Sequence, residues 1–174
     1  MYLLLVICRI KGKKIVVEVK MTKAALAEKE VIKNLMQYYF YDFSEYTDAG
    51  VTTDGKYGKY PYLDNYWEEA TRYPFILTSD DEYAGFVLVR YIEEGDTSYY
   101  SIAEFFIMKK FRRNGLGREA AFKIFDRFKG GWEVSQIKSN GPANIFWRKT
   151  IDEYTGGDWV ERETDGHFVQ LFSS

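Results

Sequence analysis

Between Tyr99 and Phe128 the hydrophobic period of the chain changes, and that change restricts the fold more than any other feature. Tyr99 to Met108 is rich in aromatic and apolar residues and reads as a strand. From Leu116 the apolar positions are Leu116, Ala120, Ala121, Ile124, Phe125 and Phe128, in steps of 4, 1, 3, 1 and 3 residues. That is the stripe of one helical face, and Gly130-Gly131 ends it. Between strand and helix lies Lys109-Lys110-Phe111-Arg112-Arg113-Asn114-Gly115-Leu116-Gly117-Arg118. The first turn of a helix has free backbone N–H groups and the positive end of the macrodipole, so a diphosphate can dock there if the backbone is bare. Gly115 and Gly117 make it bare, and five cations within these ten residues add attraction.

An arginine, two free positions, a glycine, one free position and a glycine would occur by chance in about one of every five to ten chains of this length. Its position between a strand and an amphipathic helix gives the pattern its meaning. The alternative is a tight turn with a solvated basic face. A dinucleotide fingerprint and a P-loop are both excluded, because Gly-x-Gly-x-x-Gly and a Gly-Lys-Ser/Thr run are absent.

The remaining elements fall on either side. Tyr2–Ile10 and Ile15–Lys20 read as strands joined by Lys11-Gly12-Lys13-Lys14, and residues 24–41 as an amphipathic helix carrying Val31, Ile32, Leu35, Met36 and Tyr39 on one face. Residues 42–61 have no period and suggest a long irregular segment. A short helix over Tyr62–Arg72, strands Phe75–Thr78 and Tyr83–Ile92, a strand Trp132–Ile137, a helix from Pro142 to about Asp152, and a hairpin of Asp158–Glu163 with His167–Phe172 complete the chain. The class is α/β (α+β), with about seven strands and four helices.

At 174 residues and 46% apolar content, the chain is sized for one domain over residues 1–174, in which 1–14 form an extra strand or an overextended start. With 24 basic and 26 acidic residues, neither nucleic acid nor an anionic membrane is an expected partner. Cys8 is the only cysteine, so an internal disulfide and a Cys/His metal site are excluded, and a reducing cytoplasm is the expected location. Tyr2–Ile10 is too short to span a bilayer, and Ile7 occupies the position where a lipid-attachment signal needs a small residue.

The turn Arg112–Gly117 after the strand Ile102–Met108, with Asn140-x-x-Ala143-x-x-Phe146-Trp147-x-Lys149 downstream, resembles the GNAT superfamily of N-acetyltransferases over roughly residues 15–172. Asn34–Gln37 and Tyr41–Tyr46 are similar to a branch of predicted bacterial members of unsettled substrate. The resemblance implies a mixed, mostly antiparallel central sheet splayed between its fourth and fifth core strands, with acetyl-coenzyme A as cosubstrate and no metal. It implies that Ile107 and Met108 hold the pantetheine arm and offer an oxyanion donor. Lys109, Arg112, Arg113, Asn114, Gly115, Leu116, Gly117 and Arg118 would take the pyrophosphate, and Asn140 and Trp147 would lie beside the cofactor.

Direct attack of an amine on the thioester is expected. An alkyl amine of pKa about 10.4 is neutral in only about one part in a thousand near pH 7.4, so a base must help. Glu104, eight residues before Arg112, is the candidate base, or else an ordinary charged strand residue. The usual acid of the superfamily is a tyrosine where this chain has Trp147, which leaves Tyr154 as a candidate donor, or a thiol acidic enough to leave unaided. Tyr39, Asp42 and Tyr66 are the expected acceptor-binding residues, an aromatic wall with a carboxylate suited to a cationic amine, and the expected acceptor is a small amine or amino-acid-like molecule. Alternatives are a protein N-terminus or lysine as acceptor and a non-catalytic coenzyme A-binding module. Oligomeric state is open, with a homodimer as one option.

Overall fold

The computed structural model describes residues 18–174. The expected strand Tyr2–Ile10, Cys8 within it, and the first half of Ile15–Lys20 lie outside these residues. Seven strands, β1 (Lys20–Lys23), β2 (Arg72–Ser79), β3 (Glu82–Glu94), β4 (Thr97–Ile107), β5 (Gly131–Ile137), β6 (Trp159–Thr164) and β7 (His167–Ser173), form one sheet in the order β1-β2-β3-β4-β5-β7-β6. All neighbours are antiparallel except β4 and β5. Four helices, α1 (Lys29–Phe43), α2 (Asn65–Glu68), α3 (Leu116–Arg127) and α4 (Gly141–Thr155), cover the sheet. Compared with expectation, α1 starts later, behind a 3-10 turn at Leu26–Glu28. The helix expected over Tyr62–Arg72 shrinks to one turn because the chain from Arg72 is already paired to β3.

The two faces carry separate cores. On one, the stripe of α3 packs with Trp147 and Ile151 of α4 against Val87, Val89, Ile102, Ile107, Trp132 and Val134. Leu116, Ala120, Ala121, Ile124 and Phe125 are completely buried, and the large ones contribute about 1.5–3 kcal/mol each relative to exposure. On the other face Ile32, Leu35 and Met36 of α1 pack with Leu63 and Tyr66 against Ile76, Phe86, Leu88 and Phe106.

Two local features shape the sheet between these cores. The β3–β4 register steps from Leu88↔Glu104 to Val89↔Ile102, leaving Ala103 as a bulge. β4 then meets β5 at only two positions, Tyr100↔Trp132 and Ser101↔Glu133, so the strands part over Ile102–Ile107. The second feature is Gly85. A Cβ there would stand 1.9 Å from the carbonyl oxygen of Phe106, so only glycine lets β3 run this close to the end of β4.

Gly85→Ala is expected to cost about 2–3 kcal/mol by forcing these strands apart, lowering the melting temperature by roughly 4–12 °C. Gly58→Ala, where a Cβ meets nothing within 4 Å, is the control and should leave it unchanged.

Candidate active site

The basic turn is built by anchors at both ends. Phe111, in a 3-10 turn at Lys109–Phe111, and Leu116 are both buried. Between them Arg113 adopts φ 65° and Gly115 φ 92°, so two left-handed residues reverse the chain into α3. Asn114 Oδ1 accepts from Leu116 N at 3.3 Å, and Glu119 N donates to Gly115 O at 3.0 Å. The N–H groups of Gly117 and Arg118 belong to the first helical turn and have no intrahelical acceptor. Gly117 itself sits under α4: a Cβ would lie 3.4 Å from the Phe146 ring and 3.6 Å from Ile107.

The five cations do not all remain as attraction for an anion. Asp42, near the end of α1, accepts Arg112 on one oxygen and Lys109 at 3.1 Å on the other. Lys110 pairs with Glu82, and Arg118 with Glu153 at 2.7 Å. Among the described residues only Arg113 of the five has no ion pair. Both oxygens of Asp42, expected to bind the acceptor, thus hold the basic turn against α1. Arg112 also donates through Nε to Ile107 O at 2.6 Å, tying the turn to the end of β4.

Where β4 leaves β5, one edge of β4 is open. Met108 N donates to Ala84 O at 2.8 Å and so faces β3, which leaves this N–H committed within the sheet. Alternation along the strand turns the N–H groups of Phe105 and Ile107 toward the opening instead. At the end of β5 and the start of α4, Gln136 Oε1 and Asn144 Oδ1 are buried acceptors with no hydrogen-bond partner among the described residues. Amide N–H groups of a pantetheine arm are donors of the kind these oxygens lack, and the first turn of α3 offers N–H groups to a diphosphate. The donor and acceptor sets thus fit coenzyme A. Asn140 caps α4, its Oδ1 accepting from Ala143 N at 3.1 Å, and Trp147 is buried with its ring 5.0 Å from that of Phe105.

Glu104 stands on the opposite face of β4, under α1. Its Oε2 accepts from the Tyr39 hydroxyl at 2.5 Å, and the Tyr60 hydroxyl and the Arg90 guanidinium lie close to it. Burial raises its pKa above the ordinary carboxylate value, against the lowering effect of the two phenols and the arginine. The Tyr39 and Tyr60 phenols are pushed up, by burial first and by the Glu104 charge second, so both remain donors. Tyr66 stands beside this cluster, but it is only 2% exposed and its ring packs in the α1-side core. The segment between α1 and α2 is tied down over this face, with Tyr57 N donating to Gln37 Oε1 at 2.9 Å.

Tyr154 is not in this site. Its ring packs 5.2 Å from Phe122 and 5.1 Å from Phe125, and its hydroxyl bonds Asp126 at 3.0 Å and Lys129 at 3.2 Å, at the C-terminal end of α3. The turn lies at the other end of that helix, so Tyr154 cannot donate a proton there. Tyr60, Arg90, Gln136 and Asn144 were not singled out from the sequence. Arg90 carried a usable signal, a cation inside the apolar run Phe86–Ile92. Tyr60 carried none, since it lies in an aperiodic segment.

Comparison with known proteins bears on this arrangement. Residues 33–151 match the model of the acetyltransferase (GNAT) family. No curated protein has a matching sequence. The fold recurs in solved structures of low identity. A PaiA N-acetyltransferase from Thermoplasma acidophilum in complex with coenzyme A is 10% identical over 90% of this chain and 99% of its own, with a TM-score of 0.59. The ribosomal-protein-S18-alanine N-acetyltransferase of Escherichia coli is 12% identical over 90% and 94%, with a TM-score of 0.57. An aminoglycoside acetyltransferase from an uncultured soil metagenomic sample is 15% identical over 84% and 91%, with a TM-score of 0.59.

Asp42→Asn is expected to loosen the turn. Amide hydrogen exchange should speed up across Arg112–Leu116 while the amides of buried Ile124 and Phe125 keep their protection; unchanged exchange in the turn would mean that Asp42 does not hold it.

Proposed function

Since this chain belongs to the acetyltransferase (GNAT) family, we propose that it transfers acetyl from acetyl-coenzyme A to the nitrogen of a small amine by direct attack. The reading is carried by one juxtaposition: a bare helix N-terminus beside an opened strand edge on one face of β4, and a partly buried carboxylate on the other. The N–H groups of Gly117 and Arg118 and the Arg113 side chain bind the pyrophosphate. The open edge of Phe105 and Ile107, with Gln136 and Asn144, binds the pantetheine arm. Acetyl-coenzyme A supplies the acetyl group already activated as a thioester.

Glu104 takes a proton from the acceptor ammonium, and Tyr39 and Tyr60 hold its carboxylate in place through their hydroxyls. The freed amine adds to the thioester carbonyl, the C–N bond forms, the C–S bond breaks, and the nitrogen gives up its remaining extra proton. A thiol of pKa about 8.5 can leave as thiolate without a dedicated acid, which accommodates Trp147 and the remote Tyr154. A raised pKa brings Glu104 nearer to neutrality, where a base is most effective. A small acceptor is favoured by the aromatic enclosure of Glu104 and by the segment tied over it at Gln37.

Gly115→Val is expected to abolish the thermal stabilisation given by acetyl-coenzyme A, since a β-branched residue is strained at φ 92°. If acetyl-coenzyme A does not stabilise the wild-type protein, the function proposed here is wrong.

Glu104→Gln should lower kcat by about 100- to 10,000-fold and spare acetyl-coenzyme A binding. The wild-type rate should fall on the acid side at a pH above the ordinary carboxylate value, because the base form is lost as pH drops through the raised pKa. The same shift makes the folded state bind its proton more tightly than the unfolded chain. Its stabilising effect is therefore full below the unfolded pKa and lost as pH rises through the folded one. Chemical denaturation across that window should show wild type losing stability relative to Glu104→Gln.

A further inference from the structure

The polar cluster under α1 holds two groups with nothing to bond. Arg90 Nε and the Tyr66 hydroxyl are buried without a hydrogen-bond partner among the described residues. Tyr66 is pushed up to about 12 by burial and stays protonated, with Arg90 among its charged neighbours. Arg90 Nε can only donate, and the Tyr66 hydroxyl, which can accept as well, has a proton free to give, so an acceptor satisfies both. The other arginine nearby, Arg72, lies over the Tyr66 ring but is paired with Glu69 at 2.5 Å. Arg90 makes no ion pair among the described residues. Its neighbouring carboxylate, Glu104, makes no direct ion pair with it, and a guanidinium held partly out of water without a bonded anion is stabilised when one arrives.

The position of Arg90 along β3 says where the anion would sit. Leu88 is the register partner of Glu104, and Arg90 lies two residues further along, on the same face. Two residues of strand span about 6.6 Å, room for one compact molecule with a cationic nitrogen at Glu104 and a carboxylate at Arg90. Glu104 does not meet Arg90 directly: its carboxylate is bonded by the Tyr39 and Tyr60 hydroxyls, and no ion pair joins the two residues.

We propose that Arg90 and Tyr66 hold a carboxylate of the acceptor, so that the acceptor is a compact zwitterion of the α-amino acid type. The proposal rests on the reading of Glu104 as the base, and it adds that the chain selects for a second, negative group. Arg90 is then a specificity residue.

The test pairs L-α-amino acids with their carboxamides, which keep the amine and remove the negative charge. Thiol release from acetyl-coenzyme A should show kcat/KM for the acid about 10- to 100-fold above that of its amide, the range for a hydrogen-bonded charge. Arg90→Gln should raise KM for the acid by a similar factor and erase the preference, and Arg90→Lys should recover part of it. Equal use of acid and amide by wild type, or a preference that survives Arg90→Gln, would overturn the proposal.

A second measurement separates this from failure of the transfer reading. With coenzyme A present, the acids should raise the melting temperature of wild type more than the amides do, and that difference should vanish in Arg90→Gln. If no amine releases thiol, the transfer reading falls, but an acid-specific shift that needs Arg90 still upholds the carboxylate site. No acid-specific shift overturns it.

Discussion

One extra residue in β4 decides which side of the sheet its side chains face. Ile102 packs into the core under α3 and α4, and strict alternation would send Glu104 to that same core. There a carboxylate would lie among Trp147, Ile151 and Phe125, with no polar partner to offset its desolvation. The bulge at Ala103 resets the phase, so Phe105 and Ile107 rejoin the α3 side while Glu104 and Phe106 turn to α1. The added twist is accompanied by the loss of pairing to β5 after Ser101. The placement of the carboxylate and the opening of the sheet thus occur at the same point in the chain.

The two halves of the site are joined by short electrostatic and steric links. Asp42 ends α1, the helix whose Tyr39 bonds Glu104, and the same aspartate grips Arg112 and Lys109 of the turn before α3. Arg112 in turn caps the carbonyl of Ile107 at the end of β4. At that end Gly85 admits the β4 backbone against β3. The turn, the strand end and the acceptor-side helix therefore share contacts, and a shift in any one of them is transmitted to the others through named atoms.

Much of the architecture was legible because local periodicity carried it. The α3 stripe, the strand before it and the glycine turn between them lie where the spacing of apolar residues puts them, since a helix or strand with one buried face must repeat at its own period. Roles that depend on a distant partner were less legible. Asp42 reads as a free carboxylate until Arg112, 70 residues away, takes its oxygen. Tyr66 reads as an aromatic wall until Leu63, Ile76 and Phe86 enclose its ring and leave only its hydroxyl unpartnered. Tyr154 is near the motif in sequence pattern only, because the length of α3 separates the Asp126 end from the Gly115 end. Arg90 stands out in sequence only as a cation in an apolar run, and the fold alone leaves its Nε buried without a hydrogen-bond partner among the described residues.

By itself the sequence determined the elements, the glycine-bearing turn that frees the first N–H groups of α3, and the family whose pattern that turn matches. These follow from covalent geometry and short-range spacing: left-handed φ at Gly115, period 3.6 after it and period 2 before it. Only the tertiary structure decided which face Glu104 occupies, which cations of the turn are already neutralised, and which buried donors and acceptors are left unsatisfied. Those depend on a bulge register and on side chains meeting across tens of residues, where burial and pairing, not the residue type alone, set charge and reactivity.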